Sequence, residues 1–142
     1  MTKFKGGKLI DEIMEAVDDA TAQFVTNTQS KLSASSPVDT GRLASSWFVN
    51  RQTPSGKEPP EEPWASKKKD EAPIIIIERY KGKITFGPDW VIDSNLPYSK
   101  RAALDPRWAK GGRNNGAQWF TSIRDNAQRE ANRVLAQALK KV

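Results

Sequence analysis

Protein chemistry draws on a short list of side chains, and two of them are missing here: the 142 residues include no His and no Cys. Thiolate nucleophiles, His-based triads, Cys/His zinc sites, disulfides and imidazole acid–base work are excluded together. Carboxylate pairs, Ser/Lys pairs and glycine-rich basic loops are left. Asp89 and Asp93 flank a short extended run, but position 89 falls in a turn, so no shared pocket follows. Ser99 and Lys100 are adjacent, and adjacent residues do not face each other on a helix. Asp11, Glu12, Glu15, Asp18 and Asp19 form an acidic group of the kind that suits hard cations. They interleave with apolar residues on a predicted helix, which reads as a solvated face. Lys110-Gly111-Gly112-Arg113-Asn114-Asn115-Gly116 is basic turn material ahead of a helix, a setting in which phosphate can be cradled. Its spacing matches neither G-x-x-x-x-G-K-[ST] nor G-x-G-x-x-G, and no strand directly precedes it. The expectation is a chain that is not an enzyme and carries no cofactor and no metal.

The bulk properties point towards partners instead. A length of 142 residues suits one domain, residues 1–142, with one core. Hydrophobic residues make up 37% and mean hydropathy is −0.69, which is polar for a self-sufficient globule. Five Trp argue for an ordered core all the same. No signal peptide is evident at residues 1–8, and the longest aliphatic run, residues 74–77, is far short of a membrane span. A soluble protein with no membrane partner is expected. The net charge of +6 is uneven: residues 1–36 carry −1, residues 37–95 carry 0 and residues 96–142 carry +7. Such asymmetry suits nucleic acid or an acidic protein surface, and equally a solvated helix face.

Hydrophobic periodicity supplies the frame. Ile10, Ile13, Val17, Ala20 and Phe24 recur at three- and four-residue steps, so residues 8–35 read as one long helix whose Thr/Asn/Ser-rich last turns fray. Pro37 should stop it. Asp39 or Thr40 can then cap a short turn, Gly41 suits a left-handed or close-approach position, and Leu43 and Trp47 share a face. Residues 47–51 form a strand. Residues 52–72, with Pro54, Pro59, Pro60, Pro63 and charge blocks, read as an extended loop mobile until assembled, with Trp64 leaning towards a partner contact. Residues 73–80 and 83–86 read as a β-hairpin about Lys81-Gly82, and residues 90–93 as a further strand. A short helix, residues 99–105, and a long one, residues 117–140, complete the chain. The fold class is α+β: long N-terminal and C-terminal helices on a small antiparallel sheet of about four strands, with a long irregular loop.

With these elements in place, the chain resembles the neck or tail-completion (head–tail joining) proteins of long-tailed double-stranded DNA bacteriophages. Two signatures carry the resemblance. One is Pro37-Val38-Asp39-Thr40-Gly41-Arg42-Leu43 followed by Ser46-Trp47, after a long helix. The other is Asn95-Leu96-Pro97-Tyr98 directly after a strand, then a Gly-containing loop and an aromatic-led helix, Gln118-Trp119-Phe120. Where the family has an acidic-aromatic-Gly group, this chain has Arg101-Ala102-Ala103-Leu104-Asp105. The resemblance implies a structural virion protein, made in the host cytoplasm. It would form a homo-oligomeric ring, taken as a hexamer, at the head-proximal end of the tail. Its partners would be copies of itself, neighbouring connector and tail-tube proteins, and DNA threading the channel without sequence-specific binding. Asp39, Thr40, Gly41, Arg42, Trp47, Trp64, Asn95, Pro97, Tyr98 and Trp119 are the interface or structure-defining candidates, with Asp39 and Arg42 pairing or capping and Trp47 packing on Tyr98. The competing reading is a basic nucleic-acid-binding domain built on residues 96–142, with Trp108 and Trp119 as stacking platforms.

Overall fold

Helix α1, Gly6–Ser35, runs for 30 residues, well above the average helix length, and its two ends live in different surroundings. Residues 7–15 are exposed, while Ala20 and, farther on, Val25, Gln29, Leu32 and Ser33 are buried. The Thr/Ser-rich turns therefore do not fray. Tertiary burial overrides their low propensity, and Thr21 and Thr28 turn their hydroxyls back to the carbonyls of Val17 and Phe24, each at 2.8 Å. The computed structural model describes residues 6–36, 41–68, 70–104 and 118–142. Pro37, Asp39, Thr40, Trp108 and the stretch 110–116 lie outside the described residues.

Strand β1, Trp47–Arg51, pairs antiparallel with β2, Trp90–Ser94, in a register that sets Trp47 opposite Ser94 and Arg51 opposite Trp90. Helix α2, Ser99–Leu104, follows, and α3, Gln118–Leu139, runs back along α1. The architecture is α+β, with three helices and a two-stranded antiparallel sheet among the described residues.

Two apolar clusters hold these elements. Leu32, Trp47, Ala103 and Trp119 form one, with Ile92, Phe120 and Ile123 against it. Leu43, Leu96 and Ala102 form the other, with Tyr98 against it. Adjacent residues of α2, Ala102 and Ala103, thus serve different clusters, so that short helix is the wedge between them. Trp47 belongs to the first cluster and Tyr98 packs against the second.

The sheet is smaller than expected. Residues 73–80 and 83–86 form no ladder, and among the described residues no backbone–backbone hydrogen bond joins them. The reason lies in what residues 74–80 already bond. The Ile74 carbonyl accepts from Trp64 Nε1 at 2.9 Å, the Ile76 amide donates to Ser45 Oγ at 2.8 Å, and the Glu78 carbonyl accepts from Gln29 Nε2 at 2.8 Å. A two-residue turn at Lys81-Gly82 would pair Tyr80 with Lys83 and Glu78 with Thr85 through this same edge. Side chains have claimed the edge first.

The long loop is also less free than its composition suggests. Trp64 opens a 3-10 turn, Trp64–Ser66, and is 6% exposed. Arg42 Nη2 donates to the Pro59 carbonyl at 3.0 Å, the Ser55 amide to Asp93 at 3.0 Å, and Asn95 Nδ2 to the Gly56 carbonyl at 3.3 Å. Trp64 is a local anchor, filled by its own chain.

Candidate functional site

The two signatures meet. Gly41 sits at φ +97, a region that only glycine enters freely. A methyl group there would overlap the carbonyl oxygen of Ile74 and lie 2.7 Å from its carbon. Gly41 is therefore required twice, by torsion and by space. The turn it opens is closed by its serines. The Ser45 amide reaches the Gly41 carbonyl at 3.0 Å and the Ser46 amide the Leu43 carbonyl at 3.0 Å. Ser45 Oγ donates to the Gly41 carbonyl at 2.8 Å, and Ser46 Oγ lies 2.6 Å from Ser94 Oγ across the sheet. These buried hydroxyls satisfy groups that apolar side chains would leave unpaired.

From the second signature, Leu96 is buried, Tyr98 half-buried, and Asn95 and Pro97 exposed. Ser99 completes the turn, its hydroxyl donating to the Ser94 carbonyl at 3.0 Å and the Leu96 carbonyl at 2.8 Å. Leu43 from the first signature packs on Leu96 and Ala102. What the paired signatures build is a rigid junction between α1, the sheet and α2.

Trp47 is the hub. Its Nε1 donates to Ser36 Oγ at 2.8 Å, and Ser36 Oγ in turn donates to the Leu32 carbonyl at 2.6 Å. Its ring stacks on Phe120 at 6.1 Å and meets Trp119 edge-on at 6.0 Å. Trp119 is 6% exposed and donates its indole N–H to the Ala102 carbonyl at 3.1 Å. A ring so enclosed is not a stacking platform for bases. The platform expectation is corrected at Trp119.

Gln29 escaped the sequence reading. It is 1% exposed, and its single amide nitrogen donates to the carbonyls of Trp47 and Glu78, both at 2.8 Å. Its oxygen accepts from Arg79 Nη1 at 3.1 Å, while Arg79 also reaches the Thr26 carbonyl at 3.2 Å and Ser30 Oγ at 2.7 Å. Gln29 thus ties β1 and the residue 74–80 run to α1. The available signal was a lone Gln in the Val25–Leu32 stripe, an amide where a core position was due. Gln29→Leu removes both donors from buried or half-buried carbonyls. It should destabilise the protein by about 2 kcal/mol, read from the urea midpoint at unchanged m-value.

The charged surface is sorted by helix. Asp11, Glu12, Glu15 and Asp19 are exposed on the first half of α1, whereas Asp18 accepts from the Phe86 amide at 2.9 Å. On α3, Arg133 pairs with Glu130, Lys31 from α1 reaches Glu130 at 3.5 Å, and Arg124 pairs with Asp125 at 3.2 Å. The Arg133 hydrogen bond holds the Glu130 carboxyl below its usual range. Among the described residues no group of three or more acids is arranged to hold a metal ion, and no helix is long and apolar enough to cross a membrane.

Beside these charges the first half of α1 leaves a bare apolar stripe. Leu9 is 50% exposed, Ile10 52%, Ile13 38% and Met14 61%. An apolar recess of about 620 Å³ lies farther along, between α1 and α3, lined by Val17, Phe24, Ala131 and Leu135 with Phe86 at its edge. Comparison with known proteins finds no matching family model, no matching curated protein and no matching solved structure.

Proposed function

We propose that this chain is a structural subunit of a phage neck, a non-enzymatic protein that assembles as a ring on the head-proximal end of the tail and completes the head–tail junction. The observation that carries the reading is the exposed stripe Leu9, Ile10, Ile13 and Met14 on α1, flanked by Asp11, Glu12 and Glu15. Contiguous apolar surface rimmed by charge marks a protein–protein contact. Cyclic rings use heterologous contacts, in which one face of a subunit meets a different face of the next. The α1 stripe with its acidic rim supplies one such face. Arg129, exposed on α3, and Lys140, just past the end of that helix, supply charge of the opposite sign for another. The element order and both sequence signatures, Pro37 to Trp47 and Asn95 to Tyr98, agree with that assignment. The fuller sheet of about four strands belongs to the same reading, its further strand pairing being completed only on assembly.

Ile13→Asp and Met14→Asp place charge in the stripe without touching either buried cluster. Each should reduce oligomers to monomers in light scattering and remove rings from electron micrographs, with helicity unchanged. Glu12→Lys and Glu15→Lys should weaken the same oligomers in a salt-dependent way. Asp18 is unsuitable for that test because its carboxylate also serves the fold. A wild-type chain that stays monomeric and ignores purified tail tubes defeats the proposal. Tight duplex-DNA binding that falls steeply with salt supports the nucleic-acid reading in its place.

A further inference from the structure

Residues 74–80 run beside β1 as a third strand without a ladder. Ser45 bonds Ile76, Gln29 bridges the Trp47 and Glu78 carbonyls, and Phe48 to Asn50 line a recess with Glu78 to Gly82, so the two runs progress in the same direction. The bonded backbone groups belong to residues 74, 76 and 78 alone, the two-residue period of extended chain. In such a chain the amides and carbonyls of the intervening residues point the opposite way. Ile75, Ile77 and Arg79 therefore present an edge away from the protein body, and among the described residues nothing donates to or accepts from their backbone. Ile75 and Ile76 are 45% and 51% exposed. One edge of this ribbon is satisfied by side chains standing where a strand would be; the other is open.

An open aliphatic edge is a template for strand addition. We propose that the occupant is the same segment of a second copy, added antiparallel about a two-fold axis through Ile77. Only residues with outward backbone groups can exchange hydrogen bonds, so odd-numbered residues must face odd-numbered ones. Centring on Ile77 uses all three: Ile77 faces Ile77 of the other copy, and Ile75 faces Arg79. Charge selects the same direction. Asp70 and Glu71, after the lysines at 67–69, stand directly before the ribbon, and Lys81 and Lys83 follow it; a two-fold at Ile77 sets Glu71 of each copy opposite Lys83 of the other. A parallel arrangement would set like charges together. Residues 74–77 carry no proline or charged side chain to blunt pairing, and the guanidinium of Arg79, the last member of the edge, is held on α1 by Thr26, Gln29 and Ser30. This contact is isologous and so separate from the heterologous one a ring requires; it joins two chains, or two rings, back to back.

The absence of cysteine makes the register directly testable. Cα atoms of a hydrogen-bonded antiparallel pair lie about 5.5 Å apart, within disulfide reach, whereas a four-residue offset separates Ile75 from its own copy by about 14 Å. Full-length chains carrying Ile77→Cys or Ile75→Cys are oxidised at matched concentration and resolved without reductant. Ile77→Cys should cross-link at least tenfold faster than Ile75→Cys. Ile77→Pro removes an outward amide, and Ile77→Lys keeps that amide but adds a charge at the two-fold. Each should weaken two-fold association at least tenfold in sedimentation, with far-UV circular dichroism confirming the fold. Equal cross-linking rates, absence of cross-linking at concentrations where the wild type self-associates, or undiminished association of both Ile77 variants overturns the proposal. Rings that form normally in those variants leave the neck reading untouched, while loss of rings in Met14→Asp with retained Ile77→Cys cross-linking separates the two contacts in the other direction.

Discussion

Gly41→Ala is expected to cost about 3 kcal/mol or more, enough to leave a marginal domain largely unfolded. Two penalties combine. The φ of +97 strains any L side chain, and the new methyl overlaps the backbone of Ile74, which cannot swing aside as a flexible side chain could. Ile74 is fixed in turn, because its carbonyl accepts from the buried Trp64. Relief of the clash would therefore disturb the loop anchor and the residue 74–80 ribbon together. Urea unfolding followed by tryptophan fluorescence reads the effect, since Trp47, Trp64 and Trp119 all report on the same junction. A Gly41→Ala midpoint within experimental error of the wild type would show that the junction does not need a glycine there.

Trp47→Ala is expected to cost about 4 kcal/mol, the usual range for removing a large aromatic side chain from a packed core. The ring touches α1 through Ser36 and α3 through Trp119 and Phe120, so its loss opens the seam between both long helices and the sheet. Trp47→Phe separates packing from hydrogen bonding. It keeps a ring against Phe120 but leaves Ser36 Oγ without its indole donor, and about 1 kcal/mol of loss is expected. Equal losses for the two variants would place the energy in the indole N–H and count against the packing account.

Both predictions fall on residues that the chain's own pattern singled out, and the reasons differ. Gly41 was legible because a glycine between a proline and a leucine–tryptophan pair at helical spacing announces a turn with special torsions. Trp47 was legible as the first residue of an aromatic, β-branched run. The long helices, β1, β2 and α2 were likewise readable, because each carries a local period or a local stop. Gln29, the unpaired ribbon and the fate of Trp64 were not. Gln29 has no local signature of a tie between strand and helix; its partners lie 18 and 49 residues away. The four-isoleucine run has strand propensity, but propensity does not say which backbone edge other side chains will occupy. The fray expected at the end of α1 failed for the same reason: burial against α3 and β1 outweighs the weak preferences of Thr and Ser.

What the sequence settled alone was what depends on neighbours along the chain: the helix spans, the two short strands that pair, the α+β class, and the exclusion of His and Cys chemistry. Which half of α1 is buried, which aromatic rings are spent inside, and which edge of residues 74–80 stays open were decided only by folding. Those outcomes rest on contacts between distant segments, whose energies no local pattern encodes.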